Sequence, residues 1–172
     1  MAIWQFKVFL LPEAKVHERL GGVPITIPAD LVEDAQWWLT YQPCGIETAI
    51  AKLLPEAPSW SAEMRMWGDE EGDAASAIYE DDSHSKILEI EFRINVARLS
   101  DSLVAGICQL SEQFGCLLVS WRQCHVLRPK VPELMAAIER SKATKYVRDP
   151  ISTLKALGHG EAEVSPLPKK LR

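Results

Sequence analysis

Cys124 and His125 are the residues of this chain that come nearest to a nucleophile with its base. Nucleophilic catalysis needs the two side chains within hydrogen-bond reach. The pair falls in a strand-like stretch, where neighbours point to opposite faces, so its spacing predicts a core thiol beside an exposed imidazole and no shared proton. Asp69, Glu70, Glu71 and Asp73 offer carboxylate oxygens to a hard cation, yet the stretch lacks the alternating-oxygen loop and terminal bidentate Glu of a calcium loop. A solvated turn is the expectation there. Glu80, Asp81 and Asp82 cannot complete the set, because successive turns of an antiparallel meander lie at opposite ends of the sheet. His17, His84, His125 and His159 have no ligand spacing with one another or with the cysteines. Phosphate-binding glycine loops, a nucleophile elbow, HExxH and paired CxxC are all absent. The reading therefore leans away from an enzyme and assigns no catalytic residue, no metal and no cofactor.

Charge and tryptophan are distributed more informatively. From Glu56 to Glu91 there are eleven acids against Arg65 and Lys86, a balance of -9, while Arg122 to Arg148 carries seven bases against Glu133 and Glu139, a balance of +5. Two solvated faces would account for this segregation, and so would an acidic surface that steers a basic protein. Six tryptophans stand at positions 4, 37, 38, 60, 67 and 121. Adjacent Trp37 and Trp38 diverge on a helix, so one sheet is not expected to bury both. Trp67 shares a strand side with Glu63 and Arg65, which faces outward if Met64 and Met66 point inward. An exposed Trp beside acids is the composition of a protein interface. The alternative is a second small core in which the Trp37 helix covers that face. The candidate partner-binding set is Glu63, Trp67, Asp69, Glu70, Glu71, Asp73, Glu89 and Glu91.

These residues must be positioned by elements that the hydrophobic pattern outlines. Ile3 to Leu11 alternates with apolar residues on both sides, as a central strand does. The stretch to Pro28, with Gly21–Gly22 and three prolines, reads as irregular with one helical turn near Ala14 to Leu20. Asp30 caps a short helix to Trp38, and Gly45 to Leu54 forms another. Ala62 to Trp67, Ala74 to Glu80 and Leu88 to Val96 make a three-stranded meander whose Glu89 and Glu91 are expected to face water. Ser100 caps the strongest helix, closed by Gly115. Cys116 to Trp121 reads as a buried strand, parallel or antiparallel to its neighbours, with Cys124 to Leu127 returning from it. Pro132 opens a helix to about Lys145, and Asp149–Pro150 starts a short one to Leu157. The fold class is α+β: one mainly antiparallel sheet of five or six strands with helices chiefly on one face. Residues 1–157 form one domain, and 158–172 read as a disordered tail.

Length and composition agree with this scale. The chain has 172 residues, 47% hydrophobic and 25% charged, and a mean hydropathy of -0.06. A domain of this size buries enough surface to fold without disulfides or a structural metal. A net charge of -5 argues against nucleic acid as the main partner. No apolar run approaches the roughly 18 residues of a membrane span, and the first residues read as a strand rather than a signal peptide. Cys44, Cys108, Cys116 and Cys124 are sparse and sit mostly in apolar runs, which fits a reduced, cytoplasmic protein.

The strings WWLTYQP (Trp37 to Pro43) and SWSAEMRMWG (Ser59 to Gly68), followed by IYEDD, ILEIEFRINV and LSDSLV, resemble a group of uncharacterised bacterial cytosolic proteins of similar length. The likeness runs to about Pro150 and brings no activity or catalytic residue with it. The functional expectation is a non-enzymatic protein-binding module, in concrete form an immunity-type inhibitor that occludes a basic toxin through an acidic, Trp-containing sheet face. The alternative is a small-ligand protein or enzyme with a pocket between the Trp37 region and the sheet.

Overall fold

A strand that is apolar on both sides is stable only in the middle of a sheet with both faces covered. In the computed structural model, which describes residues 2–156, β1 (Gln5–Pro12) holds that position. Phe6, Val8 and Leu10 are buried on one side and Phe9 and Leu11 on the other. Its antiparallel neighbours are β5 (Ile87–Asn95) and β6 (Cys116–Ser120). The expected meander extends the sheet through β4 (Ala74–Tyr79) and β3 (Met64–Gly68). The two-residue strands β2 (Glu56–Ala57) and β7 (Val126–Leu127) complete the order β2-β3-β4-β5-β1-β6-β7, antiparallel throughout. Among the described residues there are thus seven strands rather than five or six, because β2 is too short to carry an alternation that a sequence could reveal. The tail expected at 158–172 lies outside the described residues.

Since β5 and β6 are both antiparallel to β1, they run parallel to each other on its two sides, and α4 (Asp101–Gln113) carries the chain across. Ser100 Oγ caps α4 by accepting from the Leu103 amide. Leu103, Val104, Ile107 and Leu110 are its buried stripe. Against α4 packs α3 (Ile46–Leu53), where a Cβ on Gly106 would stand 2.5 Å from Leu53 Cδ2. Glu47 on α3 bonds both Arg65 and Tyr79, which places this layer on the Arg65, Trp67 and Tyr79 face of the sheet.

Helical segments also lie on the opposite face, besides the main layer that contains α3 and α4. Phe9, Leu11, Leu117 and Val119 project there and need cover of their own. It comes from α1 (Glu13–Leu20), α2 (Ala29–Val32) and a 3-10 turn at Ala35–Trp37 that packs on β5. The Arg19 guanidinium ties α1 to this turn, lying 4.1 Å from the Trp37 ring centroid and 2.8 Å from Asp34. The single helix expected from Pro132 is two, α5 (Val131–Arg140) and α6 (Lys142–Arg148), because Ser141 leaves the helical conformation and its Oγ accepts from the Thr144 amide to start the second. A last helix, α7 (Pro150–Ala156), follows.

Candidate functional site

Residues directly opposite each other in an antiparallel ladder share a face, so the register assigns each candidate. Gly68, Ala74, Arg93 and Lys7 form one row, and Met66, Ser76, Glu91 and Phe9 the next, all on the α1 side. Trp67 pairs with Ala75 and Phe92 on the α3 side, where it is fully buried. The structure therefore corrects the expected outward Trp67: α3 and α4 cover its face, and it is a core residue. Glu91 is corrected too, since it is buried and not solvated, while Glu89 is half-buried. Glu63 is exposed, and its carbonyl accepts from the Tyr79 amide at one end of the meander. Asp69, Glu70 and Glu71 are exposed in the β3–β4 turn at the other end, and half-buried Asp73 accepts from the Asn95 amide at 2.7 Å. The eight candidates do not form one surface.

Glu91 belongs to a charged cluster on the sheet. It pairs with Lys7 and lies 3.2 Å from Arg93 Nε, whose own hydrogen-bond capacity is unmet. The Lys7 ammonium rests 4.4 Å from the Phe9 ring centroid and 5.1 Å from that of Trp121. Burial, with the negative charge of Glu91 second, pushes the Glu89 carboxyl up to about 7; Lys7 opposes this and Glu33 adds to it. The alternation of ILEIEFRINV showed which residues share a side, but the decisive partner, Lys7, arrives from β1 through a pairing more than eighty residues away.

The exposed tryptophan is Trp60, 78% accessible. It lines a groove with Pro58, Met66, Asp69 and Glu70 beside the short edge strand β2. Pro58 removes an amide from the ladder, so the chain leaves β3 there, and Ser59 Oγ folds the departing segment by donating to the Ser61 carbonyl. The neighbouring acidic turn is held from behind. Gln5 Nε2 donates to the carbonyls of Glu70 and Gly72, each at 2.8 Å, and Trp4 Nε1 to that of Glu71 at 3.2 Å. Asp69 Oδ1 accepts from the Glu71 amide within the turn. The carbonyls are thereby consumed on the protein side, while the three carboxylate residues stay exposed. Trp60 stands outside the expected partner-binding set, although its flanks, Pro55, Pro58, Ser59 and Ser61, mark a turn-rich stretch in which a Trp is hard to bury.

Trp37 and Trp38 are both fully buried, contrary to expectation. The two rings have different neighbours, Arg19 at Trp37 and Tyr41 at Trp38, and the segment is anchored by Tyr41 Oη donating to the Phe114 carbonyl and by Gln42 bonding both the amide and carbonyl of Ile87. Each ring therefore finds packing. The Cys124 thiol donates to the Trp121 carbonyl and His125 is exposed, so the two side chains do not pair. Burial pushes the thiols of Cys108 and Cys116 up to about 11 and about 12, which makes them inert packing residues. Glu47, Arg65 and Tyr79 form a second polar cluster, in which burial and the Glu47 carboxylate hold the Tyr79 phenol far above its ordinary value. Among the described residues no three His, Cys, Asp or Glu side chains gather as a metal set, and no helix is long and apolar enough to cross a membrane. No family model matches this chain, and no curated protein or solved structure matches it.

Proposed function

We propose that the chain is a non-enzymatic protein-binding module that engages a basic protein through the Trp60 groove and the acidic β3–β4 turn. The single observation that carries this reading is Trp60, a large apolar side chain left 78% exposed beside Asp69 and Glu70. Burying that ring in a partner recovers a large contact area at little rotamer cost, which is how interface anchors work. The turn is already ordered by Gln5 and Trp4, so binding loses little conformational freedom there. In its most concrete form the module is a bacterial immunity-type inhibitor whose carboxylates stand in for the anionic substrate of a basic toxin.

The test is binding to the basic product of an adjacent gene, followed by surface kinetics of purified proteins. Trp60→Ala is expected to speed dissociation by about thirtyfold, equivalent to roughly 2 kcal/mol for an anchor. A neighbouring basic protein that does not bind, or that binds Trp60→Ala unchanged, would overturn the proposal.

A further inference from the structure

On the other side of β1 lies a recess of about 120 Å³ that the functional reading above does not use. It exists because β6 ends at Ser120, opposite Val8, so the first residues of β1 have no strand beside them on that flank. The chain turns back through Arg122 and Gln123 to Cys124, which holds the left-handed conformation at φ 53° and donates its amide to the Ser120 carbonyl. The junction of α5 and α6 at Ser141 roofs the gap.

Phe6, Trp121 and Ala143 supply apolar walls, and Arg122 and Lys142 are exposed lining residues. Among the described residues no acidic side chain lines the recess. Lys7 also reaches it, but it is ion-paired with Glu91, whereas Arg122 and Lys142 take part in no ion pair among the described residues. The Arg122 guanidinium lies 5.4 Å from the Trp121 ring centroid, so a charged donor stands next to the flattest wall. Ser120 adds a buried hydroxyl whose oxygen accepts from the His125 amide and whose own proton has no acceptor among the described residues.

We propose that this recess binds a small aromatic carboxylate, its ring against Trp121 and its carboxylate toward Arg122 and Lys142. The room available suits about one six-membered ring and falls well below what a drug-sized ligand or nucleotide occupies. An apolar wall with cations of one sign selects an anion over its neutral isostere, and a planar guanidinium matches a carboxylate fork.

Benzoate, benzamide and acetate are the probes, titrated into the full-length protein while the indole N–H resonances are followed. Benzoate is expected to saturate with a shift at Trp121, and benzamide and acetate to bind at least about fivefold more weakly. The double variant Arg122→Gln, Lys142→Gln, both changes at exposed positions, is expected to weaken benzoate about fivefold and leave benzamide unchanged. The comparison of benzoate with benzamide needs no variant, so it holds even if the double variant is unstable. Failure of benzoate to saturate by about 20 mM, benzamide binding as tightly as benzoate, or a double variant with unaltered benzoate affinity would each overturn the proposal. None of these outcomes bears on the Trp60 groove, which lies across the sheet beyond β5.

Discussion

Glu91 is a carboxylate set between two cations on a nearly closed sheet face, and that placement reverses what its exposure in a solvated strand would mean. Its side chain is 10% accessible, with Lys7 on one side and Arg93 on the other. Glu91→Gln would leave both cations without their paired carboxylate in a poorly hydrated place, so a loss of about 3 kcal/mol is expected in denaturant melts. Glu89, two residues earlier, responds in the opposite direction. Its carboxyl is harder to ionise in the folded chain than in the unfolded one, with a value raised from 4.5 to about 7. Its contribution to stability is therefore full below the ordinary carboxylate value and is lost as the pH rises through about 7. Glu89→Gln removes that loss, so the stability of the variant relative to the parent should grow by on the order of 2 kcal/mol between about pH 5 and pH 8. A difference that is flat with pH would show that Glu89 ionises without penalty. The alternation of the strand placed both residues on one side with Arg93, which pairs with Glu91; the second cation that pairs with Glu91 comes from β1 and has no local signature in the sequence.

At the scale of elements, the meander and α4 were legible because each carries its own periodicity and its own terminators. The β3–β4 turn shows how tightly those terminators are built. Gly68 has φ +85°, and a Cβ there would stand 2.2 Å from the Asp73 carbonyl oxygen. Gly45, before α3, has φ +84° with nothing within 4 Å. Gly68→Ala is accordingly expected to cost about 3 kcal/mol through combined strain and clash, and Gly45→Ala about 1 kcal/mol from strain alone. Equal losses in thermal melts would mean that the hairpin yields and that the acidic turn is not rigidly presented. What the sequence did not reveal was which side of the meander the helices would take. Met64 and Met66 alternate with Arg65 and Trp67, and either pair could have faced the core. Non-local packing of α3 against α4 chose Trp67, and Glu47 made Arg65 acceptable on the same face by neutralising it. Trp67→Ala should consequently lower the denaturant midpoint by the equivalent of about 4 kcal/mol, as removal of a core aromatic does.

The whole molecule converts a segregation of charge along the chain into one across the sheet. Strands β2 to β5, with their balance of -9 from Glu56 to Glu91, lie on one side of β1, while β6, β7 and the chain that follows them, with +5 from Arg122 to Arg148, come from the other. Two of the acids in the first group, Glu89 and Glu91, are withdrawn from the surface by burial, so the outward field rests on the exposed acids, with Asp69, Glu70 and Glu71 beside Trp60 and Glu80, Asp81 and Asp82 at the other end of the meander. A field of that kind acts on the approach of a charged partner more than on the finished contact, because diffusional encounter integrates over many ångströms while packing acts only at closure. Neutralising the three turn acids together, as Asp69→Asn, Glu70→Gln and Glu71→Gln, should slow association with a basic partner about threefold to tenfold at low salt and flatten the dependence of that rate on ionic strength. Dissociation should change little, since these carboxylates sit at the rim of the groove. Folding should also be spared: the carbonyls that Gln5 and Trp4 hold are backbone groups, and only the Asp69 side chain bonds within the turn. Trp60→Ala should produce the complementary pattern, an unchanged association rate with faster release. A triple variant that associates at the parental rate across the salt range would reduce the charge asymmetry to a solvated surface and leave Trp60 as the only feature supporting a protein partner.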